Sequence, residues 1–142
     1  LVAAAGPCAN FLMALAWAAV AKLAVVYLLA ASGEVKIALI FLLSAGVAGI
    51  IINTVLMVIN LLPIPPLDGG RVLAGIVPPR VSAQLDAFER FGLVIVMALL
   101  FTGSLNWLIW PVLNTVIDFI LTLLHIHEED FMTVRRWIGA GA

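Results

Sequence analysis

The sequence predicts an all-α, polytopic membrane protein: a bundle of about four transmembrane helices, with a broken Pro/Gly-rich segment after the second. Three observations carry that prediction. Hydrophobic residues make up 65% of the chain and charged residues 11%, less than half the roughly 25% of soluble domains. Mean hydropathy is +1.24, which a soluble domain of 142 residues could hardly carry without aggregating. Finally, 26 residues from Ile37 to Leu62 pass without a charge and then meet Pro63, Pro65, Pro66, Gly69 and Gly70 in quick succession.

The first span runs from about Pro7 to Ala31, long enough at about 1.5 Å per residue to cross roughly 30 Å of hydrocarbon. Pro7 suits the first helical position, where no intrahelical N–H is needed. Ala14, Ala16, Ala18, Ala19, Ala21 and Ala24 let a neighbouring helix come close. Lys22 interrupts this surface, either snorkelling along the helix or meeting a polar partner inside the bundle. Leu1 lies inside an apolar stretch with no charged segment ahead of it. That does not read as a signal peptide, and a segment of a longer protein is expected.

A polar turn over Ser32–Lys36 leads to the second span, Ile37 to about Leu62. Ser44, Ala45, Gly46, Ala48 and Gly49 form its small-residue patch, with a small-xxx-small pair at Ala45 and Gly49 that reads as a packing surface. Gly49, Asn53 and Asn60 fall on one helical stripe. Amides on an apolar helix need partners. Asn53 reads as structural; Asn60, one turn before the break, reads as functional.

After the break, Arg71–Val77 suits a short helix stopped by Pro78-Pro79. Residues Val81–Arg90 look like an amphipathic entry at the membrane surface, and a third span follows from about Phe91 to Thr102, short for a full crossing unless residues from about Leu85 are counted with it. Gly103-Ser104 turns into a fourth span, Leu105 to about His125. Trp107 and Trp110 suit an interface, and Pro111 either kinks that helix or begins its regular part. Asn114, Asp118, Thr122 and His125 make a polar stripe, expected to face the bundle interior or a cavity. Asp118 can bond Asn114, pair with Lys22 or stand near an active site. Residues 128–142, including Arg135, Arg136 and Trp137, read as an amphipathic tail at the interface, apart from a membrane core over 1–127. No repeat, low-complexity segment or soluble domain is evident.

With four crossings, Arg71, Arg80, Arg90, Arg135 and Arg136 share a side, while the opposite turn holds Lys36. The positive-inside tendency then puts the arginines and Asp68 towards the cytoplasm, in a plasma or bacterial inner membrane. A net charge of −1 offers no basic patch for nucleic acid, and the single cysteine, Cys8, excludes an internal disulfide. Membrane lipid and a transmembrane protein are the expected partners; oligomeric state is not legible.

Non-helical backbone at membrane depth is tolerated where protein or a water-filled cavity surrounds it, and an acid there is a functional candidate. Asp68 supports three readings: a proton relay, a cation-binding group of a transporter, or a metal ligand. A transporter is expected to show interrupted helices in both halves of a repeat, and one break is present. Prolines that fix the approach and glycines that allow a tight turn suit a carboxylate held in one position as a ligand.

Two motifs then resemble those of the site-2 proteases (peptidase family M50), intramembrane zinc metalloproteases. Gly6-Pro7-Cys8-Ala9-Asn10 is similar to the family's GPxxN. Asn60-Leu61-Leu62-Pro63-Ile64-Pro65-Pro66-Leu67-Asp68-Gly69-Gly70-Arg71 is similar to its NxxPxxPLDGGR, the more specific of the two. The resemblance covers roughly residues 1–125. It implies that Asp68 is the third ligand of a catalytic Zn2+, that Asn60 assists at the reacting carbonyl, and that zinc-activated water cleaves peptide bonds of transmembrane substrates.

The sequence departs from the pattern in one respect: it contains no HExxH, which in the family gives two histidine ligands and the glutamate base. His127-Glu128-Glu129-Asp130-Phe131 starts like that motif but ends in phenylalanine and follows the Asp-Gly segment. His125 and His127 read as interfacial. The expectation is that the HExxH helix lies in sequence before Leu1 and that this chain alone is inactive. The rival readings are a non-catalytic relative or scaffold that holds helical segments, and a cation or proton transporter.

Overall fold

The computed structural model describes residues 5–28, 30–104 and 106–125. They form five helices: α1 (Ala5–Leu28), α2 (Gly33–Asn60), α3 (Asp68–Ile76), α4 (Pro79–Phe101) and α5 (Asn106–Leu123). The described structure is all-helical, as expected. Two helices, α1 and α2, are long and apolar enough to cross a membrane, whereas α5 offers the shorter apolar run Ile109–Leu123. Within the most apolar windows of α1 and α2 only 22% and 28% of residues are buried. Most of each surface is therefore apolar and uncovered, unlike a helix in a soluble core. Two of the four expected crossings are supported in this way.

The chain divides into two compact units. One comprises residues 11–54 and the chain from Thr115 onward. Here α1 and α2 run antiparallel. A Cβ added to Gly46 would stand 2.8 Å from the Ala21 Cβ and 3.1 Å from its backbone, and one added to Gly49 would strike the Trp17 indole. Glycine at 46 and 49 is what lets the helices meet so closely. The sequence reading named Ala45 with Gly49; the approach instead uses Gly46 with Gly49, and Ala45 is half-buried. The buried stripe of α2 runs through Leu43, Val47, Ile50 and Thr54, and that of α1 through Ala14, Ala18, Ala21 and Ala24, spacings of three or four that keep one face inward. Phe11 and Phe119 stack with centroids 6.4 Å apart.

Polar groups in this unit mostly bond to their own helix. Buried Asn53 donates to the Gly49 carbonyl at 2.8 Å, and Thr54 to the Ile50 carbonyl at 2.7 Å. The structural reading of Asn53 thus holds, with an intrahelical partner where a neighbouring helix was expected. Lys22 Nζ donates to the carbonyl of Leu124, just past the end of α5. Lys22 thus meets a polar partner, one of its two expected readings, and Asp118, offered as one possible partner, is not that group; a lysine near a helix C-terminus answers carbonyls that have no intrahelical partner. Asn114, Asp118, Thr122 and His125 are all exposed among the described residues, not turned inward.

The other unit comprises residues 1–10 and 55–114. Here α4 is one continuous helix, so the amphipathic entry expected at the membrane surface and the third span expected from about Phe91, or from about Leu85, belong to the same element. Pro79 begins it, where a missing N–H costs nothing, and no proline follows before Phe101 to divide it. Arg71 on α3 meets Glu89 on α4 at 3.2 Å. Helix α5 continues through Pro111. The tail, with His127, lies outside the described residues.

Candidate functional site

The site begins where α2 stops. Asn60 is the last residue of α2, and Asp68 is the first of α3. Asp68 therefore sits in a helical first turn, three residues earlier than the helix start expected from sequence. A carboxylate suits that position, because the helix N-terminus carries partial positive charge.

Between the two helices the backbone is irregular, and its donors are largely accounted for. Pro63, Pro65 and Pro66 have no N–H to satisfy. Ile64 donates to the Leu62 carbonyl at 2.8 Å, Leu67 to Ile64 at 2.9 Å and Arg71 to Leu67 at 3.2 Å. The Pro65–Pro66 peptide bond is cis.

The glycines of the motif bring the chain against itself. A Cβ on Gly69 would collide with the carbonyls of Leu61 and Leu62, and one on Gly70 with the backbone of Ile64 and Pro65. Sequence reading assigned them to a turn beside a bound group; the close neighbour is the preceding backbone. From the other side, Gly92 of α4 abuts the Pro65 carbonyl and the Pro66 ring. Nothing in the sequence pattern pointed to Gly92.

The two motifs meet at Asp68. Gly6, in the first described turn of α1, lies against the Asp68 carboxyl so closely that a Cβ at position 6 would overlap Oδ2. Pro7 and Asn10 beside it are buried. Asp68 is half-buried, and its carboxylate takes no hydrogen bond or ion pair among the described residues. Asn60 is also half-buried, and no hydrogen bond joins it to Asp68. Arg71, though in the same motif, turns to Glu89.

A half-buried carboxylate with free lone pairs is an oxygen ligand of the type zinc accepts. Among the described residues no group of three His, Cys, Asp or Glu side chains stands together. These residues therefore fit one ligand position of a zinc site and do not hold the ion unaided, since such sites take three protein ligands or more.

Comparison with known proteins places this segment in context. The model of peptidase family M50 matches residues 28–103, from the end of α1 through α4. A Bacillus subtilis (strain 168) protein named "Putative zinc metalloprotease YwhC" is 42% identical over 72 residues, 51% of this chain and 33% of the relative. The chain thus spans about a third of that relative's length. No solved structure matches significantly. With the family model covering more than half of its residues, the motif turn included, the chain belongs to peptidase family M50, a membrane-associated family of metallopeptidases.

Proposed function

We propose that this chain forms membrane-embedded machinery of an intramembrane zinc metalloprotease that cleaves peptide bonds of transmembrane proteins. Asp68 is its third protein ligand to zinc, and Asn60 assists at the reacting carbonyl. The observation that supports this reading is the meeting of the two motifs: the Asp68 carboxyl, at the head of α3, lies against Gly6 and takes no partner among the described residues. In this reading the HExxH histidines and glutamate come from sequence outside these 142 residues. When bound, zinc supplies a Lewis acid that makes water nucleophilic near neutral pH.

The residues of this chain do the holding and orienting. The α3 N-terminus presents partial positive charge at Asp68, and a carboxylate oxygen is a ligand that zinc accepts. The Pro/Gly turn that leads into Asp68 rests on α4, where Gly92 meets Pro65 and Pro66. The Asn60 amide, closing α2, is a donor suited to negative charge developing on a carbonyl oxygen. Four crossings, with the arginines and Asp68 towards the cytoplasm of a plasma or bacterial inner membrane, complete the reading.

A second reading, a non-catalytic relative that holds helical segments without cutting them, is favoured by one observation: no HExxH occurs in these residues. Purified full-length protein separates the two. The protease reading expects bound zinc and cleavage of a membrane-embedded substrate, with Asp68→Asn abolishing cleavage and weakening zinc retention. Full activity in Asp68→Asn would remove Asp68 as a ligand. Wild-type protein with neither zinc nor cleavage would support the holding role.

A further inference from the structure

We infer that Gly6 is a positioning residue for Asp68: the absence of a side chain at position 6 is the space in which the Asp68 carboxyl sits. The inference rests on the reading of Asp68 as a zinc ligand. A Cβ on Gly6 would overlap Oδ2 and stand 3.1 Å from Cγ and 3.7 Å from Oδ1. Its three nearest atoms are thus the three atoms of one carboxyl group.

The other close-packed glycines have different neighbours. Gly69, Gly70 and Gly92 meet the backbone of the turn, Gly46 meets Ala21, and Gly49 meets an indole. Those are packing contacts between elements. At Gly6 the neighbour is the group with candidate chemistry, from a separate motif 62 positions away in the chain.

A methyl group at position 6 must displace something. The start of α1 is poorly placed to yield, because Pro7 and Asn10 are buried and the proline ring fixes its own φ. The backbone of Asp68 is constrained by Gly69 and Gly70 behind it. The side chain is what remains, and a change of χ1 rotamer swings the carboxylate away from its present direction. A ligand turned in this way loses metal, as when an outer partner that orients a ligand is removed.

The test uses full-length protein in four forms: wild type, Gly6→Ala, Asp68→Ala and the double variant. Zinc loss to a chelator, the absorption bands of cobalt-substituted protein and detergent-induced unfolding are measured. Gly6→Ala is expected to weaken metal retention about ten- to one-hundredfold and to shift the cobalt bands. In the Asp68→Ala background it should change neither metal retention nor the unfolding midpoint, because the carboxyl it strikes is gone. If Asp68→Ala loses zinc while Gly6→Ala keeps it as wild type does, the inference is overturned and the ligand reading stands. The inference also fails if Gly6→Ala destabilises both backgrounds equally, since Gly6 would then serve general helix packing. If Asp68→Ala keeps zinc as wild type does, the ligand reading falls and takes the inference with it.

Discussion

Gly92→Ala tests whether the motif turn depends on α4. A Cβ at position 92 would overlap the Pro65 carbonyl oxygen and stand 2.6 Å from the Pro66 Cδ, where ordinary contacts begin at 3.4 Å. One neighbour is backbone and the other a ring, so neither can rotate aside. The helix and the turn must part by about 2 Å at that carbonyl to restore a normal contact. Overpacking of this kind costs about 1–3 kcal/mol, and removing a mid-helix glycine returns about 0.5–1 kcal/mol. A net loss of about 1–2 kcal/mol follows, small beside the roughly 5–15 kcal/mol of a typical domain, so the protein stays folded. Activity should fall much further. A displacement of about 1 Å near reacting groups can cost roughly a hundredfold, and Asp68 lies three residues beyond Pro65. The assay pairs unfolding of the full-length protein in mixed micelles with cleavage of a membrane substrate. Gly75→Ala is the control, because a Cβ there meets nothing within 4 Å and is expected to leave stability unchanged or raise it slightly. A Gly92→Ala protein as stable as wild type, with activity within about twofold, would refute the bracing of the turn by α4.

Three further substitutions probe the packing. Gly46→Val should cost about 1–3 kcal/mol in the same unfolding assay, because Ala21 backbone atoms stand 3.1 Å from the added Cβ; Ala45→Val at the half-buried neighbour should cost less. Lys22→Met removes the donor to the Leu124 carbonyl and should destabilise by about 1.5–3 kcal/mol, the scale of a charged hydrogen bond, whereas Lys22→Arg should keep most of it. Arg71→Ala breaks an exposed pair with Glu89 and should cost below about 1 kcal/mol while leaving zinc retention intact; a large loss of zinc would show that Arg71 acts on the site directly.

How far the sequence was legible depended on the range of the interaction involved. The helices were readable because apolar runs and proline stops are local signals. Hence α1 and α2 appeared with ends only a few residues displaced. The misreadings lay where distant residues decide. Lys22 was expected to snorkel or to find a polar partner, with Asp118 one option because opposite charges on apolar helices invite pairing; the lysine reaches the Leu124 carbonyl, a group no charge pattern advertises. The start of the third span, placed at about Phe91 or about Leu85, followed the charges that precede it. The backbone, lacking an internal proline, runs straight through them.

The site shows the same division between local and distant causes. An acid after a Pro/Gly run at the end of an apolar helix is a local pattern, and it pointed to Asp68. It also misplaced Asp68 in irregular backbone. The helix starts at Asp68 itself because Gly69 and Gly70, poor helix formers in isolation, are the residues that can lie on the backbone of Leu61, Leu62, Ile64 and Pro65 without collision. The prolines solve a matching problem. Each removes an N–H that would otherwise need a partner, and the Ile64 and Leu67 donors find carbonyls within the turn. The composition that looks like disruption along the chain therefore keeps a break between helices largely satisfied. Gly6 and Gly92 could not be recognised in that way. Each matters through the residue it touches from another part of the chain: Gly6 was marked by its motif but not by its contact, and Gly92 looks in sequence like one more small residue in an apolar helix.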